Sequence, residues 1–179
     1  MRVFLIRHLE PLGARGRCYG RTDLPPDPAA LAAGTASIRA RVPAHALEQA
    51  PIFTSPLARC RELARRLAAP REPAAAHDLI ELDFGAWEGA DWDCLPREEL
   101  DAWARDVWRY RPGGGESADM AAHRWRRWAS GLAPCGAAAA VAVTHAGIIR
   151  VALACSGRMS PSEAAGAAIA FGSVHEVHT

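Results

Sequence analysis

Residues 137–157 read AAAAVAVTHAGIIRVALACSG, and this stretch decides the fold. Ala139 to Val143 is a short unbroken apolar run, which suits a strand covered on both faces. Thr144-His145-Ala146-Gly147 reads as a turn, and Ile148 to Cys155 as a helix stopped by Gly157. A buried strand feeding directly into a helix points to an α/β layer fold with a mostly parallel sheet.

The chain on either side follows the same plan. Val3 to Ile6 is a second continuous apolar run, ending in Arg7-His8. Residues 10–28, EPLGARGRCYGRTDLPPDP, carry repeated Gly and Pro without a helical period and read as a long loop of the kind that usually serves a function. Residues 29–42 read as a helix. In residues 51–68, PIFTSPLARCRELARRLA, Ile52 and Phe53 begin a strand and Ser55-Pro56 starts a helix. Leu57, Cys60, Leu63, Ala64 and Leu67 recur along it at helical spacing. The Ala-Pro stretch at 68–76 reads as a loop, and HDLIELDFGAWEG (77–89) as a short strand running into a turn that presents Glu81. Two amphipathic helices follow near 96–109 and 117–132, separated by Gly113 to Gly115. The fold class expected is a three-layer α/β/α sandwich in one domain over residues 1–179, with residues about 84–120 as a cap or insertion over the site.

Composition narrows the function classes. Twenty-one basic against 20 acidic residues leave a formal charge of +1, so no global field favours nucleic acid or an anionic membrane as partner. No stretch approaches the roughly 20 apolar residues of a membrane span. Five cysteines, at 18, 60, 94, 135 and 155, show no paired spacing and read as free thiols. A soluble cytoplasmic protein is expected. WARDVWRYR (103–111) and HRWRRWA (123–129) mix Trp with Arg, yet read as amphipathic helices with Trp packed and Arg outward rather than as nucleic-acid stacking surfaces. Trp103 and Trp108 are candidates for the cap, and exposed helical Trp is compatible with a homodimer.

In an open parallel sheet, ligands bind beyond the carboxyl ends of the strands. Arg7, His8, Ser55, Arg59, Glu81 and His145 all follow such ends. Two guanidinium groups offer bidentate donors shaped for phosphate oxygens, and the helix beginning near Ala146-Gly147 adds backbone N–H groups and the positive end of its dipole. Beside two fixed cations an imidazolium is disfavoured, so His8 is the candidate nucleophile. His145, protonated against phosphate, would offset charge on the equatorial oxygens. Glu81, among Leu79, Leu82 and Phe84, is the candidate proton donor, with Glu88 as its rival. A metal held by His8, His145 and Glu81 is disfavoured by the neighbouring arginines, and no cofactor is expected.

LIRHLEP (5–11), GRCYGRTDLPP (16–26), TSPLARCRELA (54–64), ELDFGAWEG (81–89), PGGGES (112–117) and VTHAGIIRV (143–151) together resemble the histidine phosphatase superfamily, which has the phosphoglycerate-mutase-like fold. Within it they resemble the α-ribazole phosphatase branch of cobalamin biosynthesis. The resemblance implies a metal-independent phosphomonoesterase of the histidine acid type, acting on a small phosphorylated metabolite. Phosphoryl transfer to His8 would precede hydrolysis. It places Arg7, Arg59 and His145 in the phosphate pocket, makes Glu81 the proton donor, and adds Gly20, Arg21 and Ala146 as substrate contacts.

The alternatives are a cofactor-dependent phosphoglycerate mutase, disfavoured because family mutases are longer, and a non-catalytic phosphate-binding protein. The second is prompted by departures from the family start Arg-His-Gly-Glu-Thr. Leu9 stands for the Gly, Pro11 for the Thr, and Gly13 falls where the family's loop Asn is usual. A Leu resists the positive φ that Gly permits, so the loop after His8 is expected to be perturbed. The whole reading requires the rings of His8 and His145 to face one anion.

Overall fold

The computed structural model describes residues 1–132 and 136–179; Cys135 of the expected free thiols lies outside them, and Cys18, Cys60, Cys94 and Cys155 are free. Five strands form one sheet: β1 (Arg2–Arg7), β2 (Ile52–Thr54), β3 (Ala74–Ala75), β4 (Ala139–Thr144) and β5 (Val174–His178). The order is β3-β2-β4-β1-β5, parallel throughout except for β5, which runs antiparallel to β1.

Alternation along the two central strands builds a core on each face. Val3 and Leu5 of β1, with Ala140 and Ala142 of β4, face one helical layer. Phe4 and Ile6, with Val141 and Val143, face the other. The first layer contains α5 (Ala118–Ser130) and α6 (Ala146–Cys155); the second contains α1 (Pro28–Arg41), α2 (Ala44–Gln49) and α3 (Ala58–Ala68). The result is the expected α/β/α sandwich. Each central strand is apolar along its interior because both faces are covered.

Local signals explain three of the helix starts. Asp27 caps α1 and Ser117 caps α5 through their side chains. The short α7 (Pro161–Gly166) starts with a capping box between Ser160 and Glu163. Among the described residues no helix is long and apolar enough to cross a membrane.

Several expectations need correction. Residues 79–82 form no strand: β3 lies at Ala74–Ala75, inside the stretch read as a loop, and His77–Leu79 is a 3-10 turn. Two alanines carry no strand signal of their own and pair only because β2 offers an open edge. The helix expected at 96–109 is the shorter α4 (Arg97–Arg105), and Asp106 leaves helical geometry. Among the described residues the exposed large apolar side chains are Leu12 and Met120 rather than any Trp. Trp125 and Trp128 are buried on α5. Arg124 is buried too, instead of facing outward, and forms a two-point ion pair with Glu116.

Leu63 is fully buried at the centre of α3, the helix that carries Arg59. Leu63→Ala should lower unfolding free energy by about 2–5 kcal/mol, read from the shift of the urea midpoint. A shift equivalent to less than about 1 kcal/mol would show that α3 is not held by this core.

Candidate active site

The chain leaves β1 toward the α1–α3 layer and leaves β4 toward α6, so neighbouring strands diverge to opposite faces and open a crevice between them. Register does the rest. Arg7 pairs with Thr144, and the His8 N–H continues the ladder to the Thr144 carbonyl at 3.0 Å. The next residues, His8 and His145, therefore emerge side by side, with ring centroids 5.0 Å apart.

His8 is buried, and its Nδ1 lies 2.7 Å from the Leu9 carbonyl oxygen. A carbonyl only accepts, so the proton sits on Nδ1 and the lone pair on Nε2. Burial, with the Arg59 and Arg7 charges, pushes the His8 pKa down to about 3, so the ring is neutral across ordinary pH.

His145 is fully buried, with its Nε2 2.7 Å from Ser55 Oγ and the Cys60 thiol packed against it at 3.4 Å. Burial first, then His8, Arg59, Arg124 and Arg7, hold it well below the usual histidine range. That field opposes the protonated His145 expected from sequence. A phosphate dianion between the rings would reverse its sign, and the neutral ring still offers one N–H donor.

Arg59 is 1% exposed; its Nη1 donates to the Thr22 carbonyl (2.7 Å) and its Nη2 to that of Gly20 (2.6 Å), while the guanidinium carbon lies 5.2 Å from the Tyr19 ring centroid. Arg7 donates to the Ile169 carbonyl and lies 3.8 Å from the Phe171 ring centroid. Phe171 also touches the His8 ring, with centroids 5.7 Å apart. Neither arginine forms a salt bridge among the described residues, and the buried Nε of each has no hydrogen-bond partner. Two cations and two orphaned donors beside a lone pair make a site suited to a small polyanion.

Glu81 reaches the site without a strand. The Thr144 hydroxyl donates to the Leu79 carbonyl at 2.7 Å and ties this segment to the end of β4. The Glu81 carboxylate then accepts from Gly147 N–H (3.1 Å) in the first turn of α6. The rival Glu88 is occupied elsewhere, accepting backbone N–H bonds from Gly20, Arg21, Thr22 and Phe84 and a bond from the Thr22 hydroxyl. Burial acts to raise its pKa, but the bonds from Thr22, Phe84, Gly20 and Arg21 outweigh this and hold it below the usual range. Glu88 is the knot of the 20–22 loop, and the loop holds Arg59.

The three further contacts expected from sequence separate. Gly20 gives its N–H to Glu88 and its carbonyl to Arg59, so it supports the site from behind; a Cβ there would stand 1.9 Å from the Leu82 carbonyl oxygen. The Arg21 side chain is drawn to Asp83 and Glu116, each at 3.4 Å, rather than left available for an anion. Ala146 opens α6, where its N–H has no partner within the helix. Leu9 causes no strain, since among the described residues none other than glycine has positive φ. Its side chain sits where Gly34 and Gly172 leave room: a Cβ at either would come within 2.6 and 2.9 Å of it. The loop is pinned further by the Pro11–Pro26 bridge.

Sequence reasoning missed Phe171 and Ile169, which lie far along the chain with no motif around them, and gave Ser55 no role although it stands at a strand end. Beside Glu81 and Gly147 a cleft of about 340 Å³ is walled by Leu82, Phe84, Trp103, Val107 and Trp108. Among the described residues no group of three or more His, Cys, Asp or Glu is placed to hold a metal.

A family model described as histidine phosphatase superfamily (branch 1) matches residues 3–179. No curated protein sequence matches. Among solved structures, the chain is 32% identical to a phosphoglycerate mutase from Thermus thermophilus, with 99% of this chain and 92% of that one covered and a TM-score of 0.76. It is 31% identical to the protein TTHB049 of the same organism, covering 99% and 93%, with a TM-score of 0.77. A mycobacterial glucosyl-3-phosphoglycerate phosphatase shares the fold at 22% identity, covering 98% and 88%, with a TM-score of 0.81.

A carboxylate whose folded pKa is depressed stabilises the protein above its unfolded value and stops doing so as pH falls through the folded one. The stability gap between the parent and Glu88→Gln, from urea unfolding, should therefore be widest above about pH 5 and close below the ordinary value of 4.5. A gap that does not change between about pH 7 and about pH 3 would contradict the role of Glu88 as an ionised knot.

Proposed function

The chain belongs to the histidine phosphatase superfamily, and from that premise we propose that it is a phosphomonoesterase working through a phosphohistidine. The observation that carries the proposal is the His8 Nε2 lone pair beside two guanidiniums, that of Arg59 buried and that of Arg7 half-buried, each with a buried and unpartnered Nε donor. A phosphoryl group fits between them. Arg7, Arg59 and the neighbouring His145 offset its charge, and the free N–H of Ala146 adds a donor at the positive end of α6.

In the first step the Nε2 lone pair attacks phosphorus while the ester P–O bond breaks, its electron pair passing to the alcohol oxygen. Glu81 supplies the proton that this oxygen takes. The Nδ1–H bond to the Leu9 carbonyl holds the reactive tautomer and disperses the positive charge that the ring gains. In the second step water attacks the phosphohistidine, Glu81 accepts its proton, and the P–N electron pair returns to Nε2. Because His8 needs no deprotonation, the nucleophile is competent at neutral and mildly acidic pH.

The alcohol half of the substrate lies in the aromatic-walled cleft beside Glu81. Its apolar walls and the motif resemblance together support α-ribazole 5'-phosphate, a step of cobalamin biosynthesis, as the finer assignment. A second reading, mutase activity, is favoured by the 32% identity to the Thermus phosphoglycerate mutase.

Two measurements test these statements. With phenyl phosphate in the presence of a chelator, His8→Ala should lose at least ~10³-fold in kcat/KM; comparable turnover by both proteins would reject the covalent mechanism. With 3-phosphoglycerate, phosphate release should be independent of added bisphosphoglycerate, whereas isomerisation that requires the bisphosphate would identify a mutase.

A further inference from the structure

Arg150 has no part in the chemistry described above, yet it lines the same cleft. It stands one turn beyond Gly147 on α6, so the two share a helix face with Val151 at its margin. Its Nε donates to the Ala167 carbonyl at 3.0 Å, which fixes the stem of the side chain against the segment after α7. Among the described residues that is the one hydrogen bond its side chain makes, and no carboxylate comes within salt-bridge distance of it. The two terminal nitrogens have no hydrogen-bond partner among the described residues.

The cleft that Arg150 lines is walled mainly by apolar side chains, among them Leu82, Trp103, Val107 and Trp108, with Glu81 as its carboxylate. Arg7 lies close enough that, after burial, the Arg150 charge adds to the downward push on its pKa. Glu81, which lines the same cleft, acts on Arg7 in the opposite sense, so one carboxylate faces two cations and further anionic oxygen would complete the balance of charge. The phosphoryl group answers to Arg7. Arg150 stands beyond Glu81, on the side where the alcohol half of an ester would lie.

Resting on the phosphatase reading, and departing from the α-ribazole assignment, whose alcohol half is neutral, we propose that Arg150 is a specificity residue that reads a second anionic oxygen group, carried on an apolar-bodied alcohol half of the substrate. A guanidinium fork bonds a carboxylate or a second phosphate through two parallel N–H donors, while the ring or chain between the two anions packs on the Trp103–Trp108 wall. Simple phosphate esters without a second anion remain substrates and lose this discrimination.

The test uses 3- and 4-carboxyphenyl phosphate beside their neutral methyl esters, which match them in size and change the leaving group little. The parent should prefer the acids. Arg150→Met should lower the ratio of kcat/KM for acid over methyl ester by about tenfold or more in at least one isomer, through KM rather than kcat. Arg150→Lys, which keeps the charge and loses the fork, should fall between. Thermal unfolding checks that each variant is folded, and the Lys variant carries the test should the Met variant not be. A ratio that stays within about twofold of the parent in a folded variant overturns the inference while leaving the phosphatase reading intact. Absence of His8-dependent turnover of every ester overturns both.

Discussion

The structure depends on two positive charges, Arg59 buried and Arg7 half-buried, that form no salt bridge among the described residues. A guanidinium at 1% exposure is expensive unless its field is met, and here fixed dipoles and aromatic faces meet it in place of carboxylates. Arg59 leans on the carbonyls of Gly20 and Thr22, and Arg7 on that of Ile169 and on the face of Phe171. Each arrangement engages terminal nitrogens and leaves Nε unanswered. Burial first, and the remaining positive potential with it, keeps the His8 and His145 rings neutral, so an electrostatic cost in the free protein becomes the affinity for a polyanion.

Around that centre, most of the irregular chain has a support role. Glu88 gathers five donors from the 20–22 turn, Phe84 and the Thr22 hydroxyl, turning a Gly-rich loop into a rigid bracket for Arg59. The Gly20 backbone runs so close to the Leu82 carbonyl that no side chain fits between them, which couples the bracket to the segment bearing Glu81. Arg124 and Glu116, paired in the interior, hold the 113–116 segment against Asp78 and Asp83 through the bonds to their carbonyls. The departure at Leu9 is absorbed similarly. Glycines at 34 and 172 open a seat for its side chain, and its carbonyl fixes the His8 tautomer irrespective of side-chain identity.

What was legible in the sequence was what period and order record. Unbroken apolar runs at β1 and β4 revealed the covered parallel strands, and the residues after them, His8 and His145, follow from register alone. Less legible was structure fixed by neighbours. Ala74 and Ala75 become a strand only beside β2, and α2 and α7 are too short for periodicity to declare them. Glu81 was assigned to a strand end, but a hydroxyl from β4 positions it on a loop. Phe171 and Ile169 take their places through long-range contacts that no local pattern encodes, Ser55 was legible at its strand end but its bond to His145 was not, and in the protein without phosphate burial and four neighbouring groups hold His145 toward the neutral ring.

The most direct measurement is to mix the protein with an aryl phosphate, quench in alkali, where phosphohistidine survives, and map the phosphorylated peptide. A covalent phosphoryl group on His8, formed within the first turnover and lost as phosphate appears, is the predicted result. Product release at the full rate with no phosphopeptide, or with the label on another residue such as Ser55, would contradict the account.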